Sequence, residues 1–268
     1  MDLPIGKPPR MDPGMTPGEI PSDDDMGFND PQNLIWINMV GRDISERFRD
    51  RIEEFKHRLR LTHQFATIHA GIQVMQRKAE GTLPTDNSDS SRWKRSQYRA
   101  RVLESYFQDG IYPWINPSHQ ETVSEKVNVE KRSFHSVLVN TMLIGISHVG
   151  LLSPPLEDII KGVADTISKT EFTPKQQSFW GMLQVLEYDE MRDDLRVSIR
   201  NITYTLNQEM YKVIKGKDAL SQINVECDLG RNDFKYNERT WKMLQPDVEQ
   251  YIKDAGIDKI EDPPTVQL

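Results

Sequence analysis

A run of apolar residues from Asp30-Pro31 to about Glu80 sets the first expectation for this chain. Leu34, Ile37, Val40, Ile44, Phe48, Ile52, Phe55 and Leu59 recur in steps of three and four, the spacing that gathers side chains on one face of an α-helix. Asp30 suits an N-cap and Pro31 the first helical position, and Gly81 and Pro84 close the run. At about 1.5 Å per residue an unbroken helix of this extent is roughly 70 Å long. That outgrows a compact domain and predicts an elongated bundle or a partner chain.

Two further long helices follow from the same reasoning. One spans 120–152, with Phe134 to Leu152 the most apolar stretch of the chain, ended by Ser153-Pro154-Pro155. The other spans 173–215, where Thr173, Pro174 and Gln176 form a capping pattern. Its later apolar positions, Leu195, Ile199, Ile202, Leu206, Met210 and Val213, read as a heptad-like seam for helix packing or oligomer contact. Between the long runs, Ser90 or Ser91 caps a shorter helix with Trp93, Tyr98, Val102, Tyr106 and Phe107 inward, stopping at Asp109-Gly110. Trp114 is then a buried anchor in a proline-bounded loop. Ile223, Val225, Cys227 and Leu229 alternate as in a short strand. Helices at 237–244 and from Pro246 to Asp254 follow.

The fold class expected from these patterns is all-α: an elongated helical bundle with coiled-coil character. Residues 1–29, rich in Pro, Gly, Asp and Met, form a disordered or extended N-terminal arm. Residues 30–216 form the bundle, and 217–268 a small helical or mixed part packed on it.

Charge is segregated along the chain. Met1–Val40 holds two basic against seven acidic residues, and Gly41–Arg101 fourteen against eight, within a whole-chain net charge of −7. General polyanion binding is therefore not expected. Within the basic stretch, Arg92, Lys94, Arg95, Arg99 and Arg101 interleave with Trp93 and Tyr98, a candidate anion contact in which arginines grip phosphate and rings stack on bases. The competing reading places Trp93, Tyr98 and Val102 on a buried face with the arginines outside it.

Chemistry-bearing motifs are sparse. Cys227 is the single cysteine, so no intramolecular disulfide and no cysteine zinc site is expected. There is no phosphate loop, dinucleotide fingerprint or nucleophile elbow. No two of the six histidines stand four apart, and the one Glu-x-x-His, Glu54 to His57, lacks the second copy a helical di-iron site requires. His63 and His69 read as solvated or locally hydrogen-bonded. Glu187, Asp189, Glu190, Asp193 and Asp194 form an acidic patch without calcium-loop spacing. No catalytic residue, metal site or cofactor is assigned.

The function expected is that of a non-enzymatic structural or interaction protein, a subunit of an oligomer or larger assembly such as a particle or virion component. Its partners would be other protein subunits, in a homo-oligomer. The first alternative is a membrane-active helical pore-former that inserts the apolar hairpin 134–169. The second is a nucleic-acid-associated protein using residues 92–101. The N-terminus lacks the apolar core of a signal peptide, and no run reaches the roughly 18 apolar residues of a spanning helix. A cytoplasmic location, or one within an assembled particle, is the corresponding expectation.

Overall fold

The computed structural model describes residues 22–31, 34–41, 44–130, 176–207, 222–257 and 260–267. These residues form a mixed α/β fold, and the all-α bundle is corrected. Six strands, β1 (Leu34–Val40), β2 (Ile115–Glu130), β3 (Gln176–Asp189), β4 (Asp194–Asn207), β5 (Gln222–Tyr236) and β6 (Thr265–Gln267), make one sheet in the order β2-β5-β4-β3-β1-β6. Three α-helices accompany them: α1 (Arg49–Ala79), α2 (Asp89–Gln108) and α3 (Glu238–Ala255).

The first amphipathic run divides in two. Its start, Leu34 to Val40, is a strand that pairs in parallel with β3 on one side and with β6 on the other. Trp36, Ile37, Asn38, Met39 and Val40 are all buried. A strand covered on both faces reads as a continuous apolar run, and Leu-Ile-Trp-Ile-Asn-Met-Val contains by chance the steps of three that resemble a helix face. Only the later part, α1, is helical. It ends at Ala79, and Gly81 follows in the left-handed region at φ 71°, where a residue without Cβ relieves the steric conflict.

The expected helices 120–152 and 173–215 are also corrected where they are described. Residues up to Glu130 belong to β2, and Gln176–Asn207 to β3 and β4. The remainder of both runs, including the apolar hairpin 134–169 and the positions Met210 and Val213, lies outside the described residues. Coiled-coil packing is overturned with the bundle. Leu195 and Ile199 have one parity in β4, and Ile202 and Leu206 the other. Strand residues alternate between faces, so the four make no common seam.

The described residues fall into two compact units. One contains residues 22–31, 47–118 and 234–263, and the other 34–46, 119–233 and 264–267. In the first, an aromatic core joins α1, α2, α3 and the loop after α2. Trp114 is buried, stacks on Tyr112 at 5.4 Å between ring centres, and meets Trp241 edge-on at 5.6 Å. Its indole Nε1 donates to Thr62 Oγ1 at 3.2 Å, satisfying the polar edge that a buried tryptophan carries. The helix expected to break at Pro246 runs through it, with Pro246 exposed.

In the second unit, β3 and β4 form a hairpin paired without interruption from Gln176↔Asn207 to Asp189↔Asp194. Trp180 to Leu186 are buried along its first strand. Beside it, Gln184 Nε2 donates to Asn38 Oδ1 at 2.8 Å in the buried interior, so two amide side chains facing each other in register satisfy one another. Residues 265–267 at the C-terminal end complete the sheet through β1.

Candidate functional site

In the second unit β3 and β4 form a long hairpin paired without interruption. Each strand has 14 residues, where strands of globular proteins commonly have about 5–6. At about 3.4 Å per residue each spans roughly 48 Å when extended. β4 alternates in chemistry over its first half: Leu195 and Ile199 are buried and Val197 half-buried, while Asp194, Arg196 and Ser198 fall between them. Arg200 is the exception. It is buried, and its Nε donates to Asp233 Oδ1 of the neighbouring strand at 3.1 Å, so its charge is paired rather than stranded.

The acidic patch of the sequence is the turn of this hairpin. Asp189 Oδ1 accepts from the backbone N–H of Met191 at 3.1 Å and of Arg192 at 3.2 Å, and Tyr188 Oη donates to Asp193 Oδ1 at 2.5 Å. Asp193 takes φ 50°, a left-handed conformation that aspartate tolerates better than most residues. The carboxylates therefore build the turn, and Glu190 and Asp194 do not share a helix face. Among the described residues no group of three or more His, Cys, Asp or Glu is arranged to hold a metal ion. At the apex Met191 is 98% exposed, an apolar side chain presented to solvent on the tip of this hairpin.

The other predicted positions lie on α2, in the first unit. Lys94 is exposed and Arg101 half-buried, whereas Arg95 and Arg99 are buried. The two buried arginines hold the turns formed by residues 22–31. Arg95 Nε and Nη2 donate to the two oxygens of Asp30 at 2.8 and 2.7 Å. Its Nη1 donates to the carbonyls of Pro84 and Asp86. Arg99 donates to the Gly27 carbonyl, Arg92 to that of Asn29, and Ser96 to that of Pro31. Burial lowers the Arg99 guanidinium to about 10, with Asp30 acting in the opposite direction, so it remains a cation at neutral pH. Asp30, expected as a helix cap, serves as the acceptor of a buried ion pair.

The reading of His69 as solvated or locally hydrogen-bonded is corrected. The residue is 2% exposed on α1, and neither ring nitrogen has a hydrogen-bond partner among the described residues. Phe65 lies 4.1 Å away between ring centres, Tyr251 5.2 Å, Tyr112 6.3 Å and Tyr106 6.5 Å. Desolvation by burial lowers its pKa from 6.5 to about 4. The available signal was its place in the buried stretch Phe65–Val74, where most residues are apolar.

No protein-family model and no characterised protein matches the sequence. Solved structures do match in fold. The structure of the Evf virulence factor aligns over 89% of this chain and 90% of its own, with TM-score 0.58 and 8% identity. A delta-endotoxin aligns over 77% of this chain and 82% of its own, at TM-score 0.34 and 11% identity. The activated Cyt2Ba monomer from Bacillus thuringiensis subsp. israelensis aligns over 77% and 100%, at TM-score 0.29 and 10% identity. The first of these places the chain in an α/β fold shared with the Evf virulence factor.

Proposed function

We propose that this chain is a membrane-active protein that converts its long β-hairpin into a bilayer-spanning element, several copies contributing hairpins to one assembly. The observation that carries this reading is the uninterrupted β3–β4 register over two strands of 14 residues. A tilted strand needs only about 9–11 residues to cross the hydrocarbon layer, so the hairpin has length to span and still keep its turn in water. The alternation of Leu195, Val197 and Ile199 with Arg196, Ser198 and Arg200 suits a barrel wall, apolar toward lipid and polar toward the lumen. Closed barrels need at least about eight strands, which is the physical reason to propose a homo-oligomer in the membrane. The fold is shared with a protein described as a virulence factor. No described helix is long and apolar enough to cross a membrane.

The test is dye release from vesicles of phosphatidylcholine alone and mixed with phosphatidylglycerol. Concentration-dependent release is expected, and its steepness reports the number of copies. The variant Val197→Asp puts a charge on the lipid-directed side of β4 and should reduce release at least tenfold while leaving the fold intact. Absence of release from every composition overturns the proposal.

A further inference from the structure

His69 is surrounded by aromatic rings, none of which carries a charge that could balance a proton on it. Phe65 lies one turn earlier on α1, α2 contributes Tyr106, the loop after α2 contributes Tyr112, and α3 contributes Tyr251. Burial holds all three phenols above their ordinary value, Tyr251 at about 12. Each is therefore neutral in acid as well as at pH 7. Burial is the only cause of the shift at His69 itself, so no described carboxylate or cation contributes to its setting. A proton placed on this ring creates a buried charge without a counter-charge, which the site expels by opening.

The element that opening would release is α3. Tyr251 leans against both Phe65 and His69, at 5.1 and 5.2 Å between ring centres. Ile252, Ala255, Ile257 and Ile260 continue the contact onto Ile68 and Ile72, one residue before and three after His69. Surface pairs also tie α3 and the residues after it to α1, one of them within its C-terminal half. His57 Nε2 lies 3.4 Å from Glu249 Oε1, and Arg60 also approaches this site through His57 Nδ1 at 2.7 Å. The Gln245 amide, with His57 and Arg60, keeps the Glu249 carboxyl below its ordinary value, so it is a carboxylate in mild acid as well as at pH 7. Arg58–Glu238 at 2.6 Å and Arg60–Asp262 at 3.7 Å join permanent cations to carboxylates.

We propose that His69 is an acid-operated lock: protonation of its ring ejects Tyr251 and frees the C-terminal half of α3 from α1. The device requires no membrane and stands apart from the hairpin reading. It gives the first unit a conformational response to mildly acidic surroundings.

Amide hydrogen exchange of the full chain at pH 7.5 and pH 5.0, corrected for intrinsic rates, tests it in the absence of lipid. Peptides covering 245–257 should open on the order of 30-fold more at pH 5.0, and the variant His69→Phe should keep its protection at both values. Equal loss in both proteins, or no loss in the wild type, overturns the proposal. If His69→Phe does not fold, the ring of His69 in the wild type is titrated by carbon-detected NMR. An apparent pKa below about 5, reached together with loss of α3 protection, supports the lock. Titration near the ordinary 6.5 with α3 still protected overturns it.

Discussion

Arg95 Nη2 and Nε meet Asp30 Oδ1 and Oδ2 at 2.7 and 2.8 Å, a two-pronged pair between side chains 3% and 4% exposed. It ties the turns at 22–31 to α2 through charges that water does not reach. Removing one partner leaves the other as an uncompensated buried charge, which costs about 3–5 kcal/mol. Arg95→Met should therefore lower stability by about that amount in urea unfolding. The double variant Asp30→Asn, Arg95→Met should recover part of the loss, since neither member of this pair then carries a charge. Additive losses in the two single variants and the double would show that the pair does not act as a unit.

Gly71 makes a second, independent attachment of the same segment. A Cβ there would lie 2.9 Å from Met26 Cβ and 3.0 Å from two ring atoms of Phe28. Alanine is the better helix former by about 1 kcal/mol, but overpacking costs about 1–3 kcal/mol. Gly71→Ala is predicted to be net destabilising and to speed proteolysis within residues 22–31. A gain in melting temperature would mean that the segment does not press on α1 in solution.

Stability should fall in mild acid, and the sign follows from His69. Its pKa is about 4 in the folded chain against 6.5 ordinarily. Below pH 6.5 the unfolded chain binds the proton and the folded one does not. Stability is therefore complete above about pH 6.5 and declines as pH falls toward 4, by about 3 kcal/mol in all. Denaturant midpoints measured from pH 8 to pH 4 should show this decline, and His69→Phe should reduce it by about that amount, leaving the share of His63, whose pKa burial lowers to about 3. A wild-type midpoint that rises on acidification would contradict the assignment.

The short helix α2 depends on a serine cap. Ser88 Oγ accepts from the Ser91 N–H at 3.3 Å, and Asp86 accepts from the Ser88 N–H and the Ser91 hydroxyl. Ser88→Ala should cost about 1 kcal/mol, seen as a drop in thermal midpoint. No change would assign the cap to Asp86 alone.

What the sequence made legible follows from the periods involved. In α2 the inward set Trp93, Tyr98, Val102, Tyr106 and Phe107 is buried, because only a 3.6-residue period fits those spacings. The alternation of Ile223, Val225, Cys227 and Leu229 falls in β5. Failure came where spacings satisfy two periods at once. Leu195 to Ile199 is a step of four, which suits a helix turn and two strand repeats equally. The β-branched and aromatic content of β4, with Val197, Ile199, Ile202, Thr203, Tyr204 and Thr205, was the signal that separates them. In β1 the run was apolar because consecutive residues from Trp36 to Val40 are buried, on both faces of the strand, a condition invisible locally.

Of the candidate sites, the arginines of α2 were visible as a cluster, but their direction was not. Asp30, distant in sequence, turns Arg95 inward. The hairpin turn was visible as an acidic cluster whose backbone role depends on a fold that the helical reading excluded. His69 carried no motif, since its environment is assembled from α2, α3 and the loop at Tyr112.

The proposal that β3–β4 spans a bilayer is tested most directly at the hairpin tip. Met191→Cys in a Cys227→Ser background is labelled with an environment-sensitive nitrobenzoxadiazole dye and mixed with vesicles of phosphatidylcholine and phosphatidylglycerol. Insertion predicts that the label, exposed in the free protein, becomes shielded from dithionite added outside and reachable by a quencher trapped within. A label that stays open to external dithionite while the vesicles leak would contradict insertion of this hairpin.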